Sequence, residues 1–288
     1  MKKKNIYLST FKRRRRRRRN KVMGEPLIKG VLSTPGSALI AGVCIALYVH
    51  RIVREYPVDS IAISYRTFIK EKQYWRGVTA IFSHLNLLHI VFNVSSLWSL
   101  RSVEKAFGTI AYFKISYVLL IVSVLTTMGI YHIWIKYGGI REYESTYAVG
   151  YSGVIFGLMT VGYVSAKQSK ISFFGFSIPL SLAPFGSLFL TQLLVPNASF
   201  VGHLSGIIAG YMYSWGFFSW FGNDFFAFAL FWSAILLIWS IKTTSNFDIP
   251  FIQIGGPANG DDDAEDGGRE LRQVRIENGV LTTSSSNV

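Results

Sequence analysis

Residues 171–223 read ISFFGFSIPLSLAPFGSLFLTQLLVPNASFVGHLSGIIAGYMYSWGFFSWFGN, with no Lys, Arg, Asp or Glu anywhere in the run. Crossing about 30 Å of hydrocarbon takes roughly 20 residues of helix. The run is therefore long enough for two crossings, broken at Pro196-Asn197, a turn-forming pair. Working outward, the same absence of charge recurs at Gly30–His50, Gly77–Leu100, Ile115–Ile135, Ser145–Ala166 and Phe225–Ile241. One such gap fits a buried helix of a soluble protein; six in succession do not. The pattern predicts an all-α, polytopic membrane protein, with six helices at 36–53, 84–102, 113–135, 150–166, 174–195 and 201–219. A seventh is expected at 224–241.

Composition agrees. Half of the 288 residues are hydrophobic, 15% are aromatic and 16% are charged, against roughly 25% charged in soluble domains. That apolar content excludes a disordered chain. A lone Cys44 excludes a disulfide framework and a multi-cysteine zinc site. The net charge of +14 is concentrated: residues 1–30 carry thirteen Lys and Arg against one Glu. The organisation expected is a basic cytosolic segment at 1–35, a six-helix core at 36–220, a seventh helix and linker at 221–254, and a disordered Gly/Asp/Ser/Asn-rich tail at 255–288.

Positive charge beside the membrane sets orientation. Lys12–Arg19 should stay in the cytosol, with Arg101, Lys105 and Lys114 after the second helix and Lys167 and Lys170 after the fourth on the same side. The first loop, about 54–83, carries Arg54, Arg66, Lys70, Lys72 and Arg76 on the other side, together with Glu55, Asp59 and Glu71, and is long enough to fold as an element. The basic segment lacks a folded module and interleaved aromatics, so it reads as a topology signal contacting anionic lipid, and no nucleic-acid partner is expected. A transit peptide is the alternative, weakened because contiguous Arg13–Arg19 lacks amphipathic spacing. An endomembrane compartment, ER or Golgi, is expected, with another organelle membrane left open.

Polar residues inside membrane helices are costly and point to function. Three groups stand out: His84, His89 and Asn93 opening the second helix, Gly150-Tyr151-Ser152-Gly153 opening the fourth, and His203 with Ser205, Gly206 and Gly210 opening the sixth. These helices run in the same direction, so all three groups lie at one membrane face and at shallow depth. His89 and Asn93 share a helix face, as do Ser152 and Phe156. Gly153/Gly157 and Gly206/Gly210 are small-xxx-small pairs that let helices approach closely. Such packing would bring Ser152 to His203. A serine needs a base within reach to act as a nucleophile, and His203 could take its proton and later protonate a leaving amine. His89, Asn93 and the Ser152 N–H are suitable donors to an oxyanion.

Together these residues resemble the rhomboid family of intramembrane serine proteases over roughly residues 36–220. Trp75-Arg76 resembles its loop motif, and His84, His89 and Asn93 match its helix-2 pattern. Val103-Glu104 with Gly108 resembles the following turn. Gly150-Tyr-Ser152-Gly153 matches its nucleophile motif and His203-x-x-Gly206-x-x-x-Gly210 its base motif. GxSG alone is weak, being common to soluble hydrolases; the ordered set is specific. The resemblance implies a Ser152–His203 dyad without an acidic third member, oxyanion donors at His89 and Asn93, and a turn shaped by Gly150. It implies transmembrane proteins as substrates and the bilayer as the medium, with no cofactor and no metal. Phe156 departs from the Tyr that family members often carry there; stacking under the histidine is kept and the hydroxyl is lost. A zinc protease would need HExxH, which is absent, and an aspartyl protease two intramembrane Asp. The other reading is a catalytically inactive relative that binds membrane-protein clients.

Overall fold

The computed structural model describes residues 27–166, 170–173, 176–244, 274–277 and 280–283. The basic run and most of the tail lie outside the described residues. The chain divides into units at 1–248 and 249–288. In the second unit, β3 (Val274–Glu277) and β4 (Val280–Thr283) pair antiparallel, Val274 opposite Thr283.

Among the described residues of the first unit, the regular structure is helical apart from one short hairpin and one isolated bridge. A short helix α1 (Leu27–Ser33) precedes α2 (Pro35–Val53). Pro35 occupies the first turn of α2, where a missing N–H costs nothing. The next two donors are met by a buried carboxylate from a distant helix: the Gly36 and Ser37 N–H groups donate to Glu104 at 2.8 and 2.7 Å. The hydroxyls of Ser37 and Thr109 donate to the same carboxylate at 2.7 and 2.8 Å. Negative charge at a helix N-terminus is favourable, so Glu104, 1% exposed, ties three helices together at one end of the bundle. Glu104→Ala strands two buried backbone donors and is expected to cost about 3–5 kcal/mol. Thermal unfolding of the detergent-solubilised variant measures it.

The second crossing is not one straight helix. Helix α3 (Arg76–Phe82) and the segment Leu87–Phe107 meet at 90°. Asn86, in extended conformation, caps the new helix α4 (Leu87–Ser99) by accepting from the His89 N–H at 2.9 Å. Helix α5 (Arg101–Phe107) follows and stops at Gly108, whose φ of +85° suits glycine. The central helix α6 (Thr109–Lys136) has 28 residues, with Tyr112, Ile115, Leu119 and Val124 among its buried positions. Helix α7 (Ser152–Val164) and helix α9 (Phe200–Ser214) pack against each other and against α6. Helix α10 (Asn223–Thr244) lies on the periphery, with Phe226 and Ser240 its buried residues.

The fifth crossing starts later than residue 174. Residues Lys170–Phe173 (β1) and Phe176–Pro179 (β2) form an antiparallel hairpin, and helix α8 runs only from Ala183 to Leu194. The cause is local: Pro179 biases the residue before it toward extended backbone, while Pro184 is tolerated in a helical first turn. Among the described residues three helices, α2, α6 and α10, are long and apolar enough to cross a bilayer alone, and up to four if the bent pair is one span. Helices α7, α8 and α9 have 13, 12 and 15 residues. At 1.5 Å per residue, 13 residues span roughly 20 Å. Irregular backbone at membrane depth is tolerated where protein surrounds it; directly ahead of α7, Gly150 and Tyr151 are buried.

The first loop is a folded element. Arg76 donates to the carbonyls of Asp59 and Ala62 at 2.6 and 2.8 Å, bonds the Gln73 side chain, and sits 4.8 Å over the Trp75 ring. Ile63 and Ala148 exchange backbone bonds of 3.0 and 2.8 Å, joining this loop to the approach to α7. Lys70 bonds Glu144 at 2.7 Å and holds its carboxyl below the usual range. That pairing therefore persists above the ordinary carboxylate pKa and is lost as pH falls through the lowered one. Its contribution is small, because both groups are at the surface.

Candidate active site

Two glycine pairs set the spacing of α7 and α9. A Cβ on Gly206 would overlap the Gly153 carbonyl, and one on Gly210 would lie 2.7 Å from the Gly157 oxygen. In the other direction, a Cβ on Gly153 would come to 3.1 Å from the Gly202 oxygen. Backbone therefore meets backbone along the whole contact, as the small-xxx-small spacing requires.

This approach places Ser152, the first residue of α7, opposite His203 in the first turn of α9. Ser152 Oγ lies 2.8 Å from His203 Nε2. His203 is 5% exposed, and its ring stacks on Phe156 with centroids 4.6 Å apart at 30°. Its other nitrogen, Nδ1, is buried with no hydrogen-bond partner among the described residues. For Nε2 to accept the Ser152 proton, Nδ1 must carry the ring hydrogen, and no acid orients it. The stacked Phe156 ring supplies the orientation instead.

The turn before Ser152 depends on Gly150. Its φ is +111°, and an added Cβ would stand 2.6 Å from His89 Nε2. Its N–H is anchored to the Ala80 carbonyl at 2.9 Å. The absent side chain is what lets the His89 imidazole abut this turn. Asn93, one helical turn below, donates through Nδ2 to the His89 carbonyl at 2.9 Å. His84 is fully buried, meets the His89 ring edge-on at 5.0 Å, and contacts the Phe82 carbonyl through Nδ1 at 3.2 Å. Ser152, His203, Phe156, Gly150, His89, Asn93 and His84 thus form one continuous group. Trp75 and Arg76 brace the first loop, and Trp75 bonds α10 through Ser240 and Thr244.

Sequence reasoning missed three polar residues. Ser123 and Thr127 of α6 and Ser199, which caps α9, line a cavity of about 50 Å³ beside Ser152 and His203. Such a space has room for a water molecule, whose share of liquid volume is about 30 Å³. The signal available was Ser123 and Thr127 at i, i+4 within an otherwise apolar helix. Among the described residues no group of three His, Cys, Asp or Glu side chains is placed to hold a metal ion.

A polytopic helical membrane protein with a serine and a histidine joined across two glycine-packed helices is a narrow class. The family model described as the Rhomboid domain matches residues 71–220, just over half of the chain, and the chain belongs to the rhomboid family. It is 34% identical over 146 residues to rhomboid-like protein 14, mitochondrial, of Arabidopsis thaliana, covering 50% of this chain and 43% of that protein. It is 28% identical over 166 residues to human rhomboid-related protein 4, covering 56% and 51%. It is 32% identical over 179 residues to the rhomboid protease GlpG of Yersinia enterocolitica, covering 58% and 57%. The chain spans about half the length of the curated relatives it matches.

Proposed function

We propose that the chain is an intramembrane serine endopeptidase that hydrolyses peptide bonds in or near the transmembrane helices of other proteins. The observation that carries this reading is the 2.8 Å contact between Ser152 Oγ and His203 Nε2. Ser152 gives its proton to His203 as Oγ attacks the scissile carbonyl, and His203 returns that proton to the leaving amine. The acyl-enzyme is opened by a water that His203 deprotonates, and His203 returns that proton to Ser152 Oγ as the ester bond breaks.

The oxyanion formed in each step needs donors already in place. The Ser152 N–H opens α7 and has no partner within its own helix. The Asn93 amide has a second hydrogen beyond the one given to the His89 carbonyl. The His89 ring nitrogen beside Gly150 is the third donor. An inactive relative that only holds membrane-protein clients is disfavoured by the bonded Ser–His pair. An ER or Golgi membrane is the proposed location; one similar protein of Arabidopsis thaliana is named mitochondrial, and membrane fractionation separates the two.

Proteomics of released ectodomains tests the function without a known substrate. Cells carrying the wild-type chain should release fragments of single-span proteins that cells carrying Ser152→Ala retain. Identical fragment sets from both would contradict the proposal.

A further inference from the structure

A cavity of about 620 Å³ separates α10 from the rest of the bundle. Protein interiors do not leave such volumes empty, and this one is of the size that holds a small-molecule ligand. Ile40 and Val43 of α2 form one wall, Leu120 and Ile121 of α6 the second, and Leu230 and Leu237 of α10 the third. Helix α10 meets the bundle at spaced points along its length. Phe226 packs on Tyr117 at 5.7 Å, Ser233 bonds the Tyr117 hydroxyl at 2.7 Å, and Ser240 and Thr244 receive Trp75. Between those struts the helices stand apart.

We infer that this cavity is a binding site for one acyl chain of a zwitterionic phospholipid, drawn from the leaflet at the N-terminal ends of α2, α6 and α10. Length supports this. From Phe226 to Leu237 the helix rises roughly 17 Å at 1.5 Å per residue, close to half of a hydrocarbon core about 30 Å thick. The far end is closed by Tyr74, Trp75 and Phe82 of the first loop and α3. At the near end, Lys114 Nζ stands 3.5 Å from Asn223 Oδ1, and Asp224, the next residue, is exposed. One cation and one carboxylate at the mouth match a headgroup carrying both a phosphate and an amine. The chain would rest on Tyr151, which lines the cavity, contacts Phe82 at 5.4 Å and directly precedes Ser152. The site thus backs the turn that carries Ser152, and His203 is not among its lining residues.

The test is photo-crosslinking of the full chain in phosphatidylcholine vesicles containing a trace of phosphatidylcholine with a diazirine at mid-chain. Ile40 and Leu120 are 6% and 7% exposed, so adducts on them require an inserted chain. Adducts there are expected in the wild type. They should be lost in Ala234→Trp, which fills the cavity, and kept in Phe231→Trp, which faces the lipid. Wild-type adducts confined to outward positions of α10 would overturn the inference, whether or not Ala234→Trp folds. So would inward adducts that persist in a folded Ala234→Trp.

Discussion

His203→Ala is expected to reduce cleavage of a transmembrane substrate by on the order of 10⁴-fold or more, and Ser152→Ala by a similar factor. The double variant should be no worse than either alone, because the two side chains act as one nucleophilic unit and such effects are not additive. The 2.8 Å contact is the physical reason: without the ring Oγ keeps its proton, and without Oγ the ring has nothing to activate. Asn93→Ala should behave differently and retain measurable turnover. Losing one of several oxyanion donors costs roughly 10²–10³ in rate. Kinetics in detergent, run beside thermal unfolding, separate lost chemistry from lost structure. Multiplying losses in the double variant would argue against a dyad.

Gly206→Val should lose stability and cleavage together. Any Cβ at this position overlaps the Gly153 carbonyl, and backbone cannot yield as a flexible side chain does. Helices α7 and α9 must part, and Ser152 parts from His203 with them. Overpacking of this kind costs about 3 kcal/mol. Gly42→Ala is the comparator: nothing lies within 4 Å of a Cβ there, so its unfolding temperature and turnover should match the wild type. A Gly206→Val protein that unfolds normally yet does not cleave would show that the glycine acts in the chemistry and not in the packing.

The charge-free runs and the glycine spacing made both the helical class and the Ser152–His203 contact legible in the sequence. The first is a property of the solvent each helix meets, and the second of backbone approach, so neither depends on distant context. What escaped depends on such context. The 90° bend after Phe82 is set by Asn86 capping a new helix start, inside a stretch that is free of charge throughout. The late start of α8 follows from Pro179 and a hairpin that hydropathy alone cannot distinguish from helix. Glu104 reads as a charge at the end of a helix, and its four hydrogen bonds reach residues up to 68 positions away. Trp75 and Arg76 read as a loop motif, and their partners, the Ala62 carbonyl for Arg76 and Ser240 and Thr244 of α10 for Trp75, lie outside that motif.

The most direct test of Ser152 as a nucleophile activated by His203 needs no substrate. Intact-protein and peptide mass spectrometry after treatment with a fluorophosphonate should find one adduct, on the peptide containing Ser152, in the wild type. That adduct should be absent from Ser152→Ala and strongly reduced in His203→Ala. Equal labelling of the wild type and His203→Ala, or labelling of a different serine in a protein that still cleaves, would contradict the account.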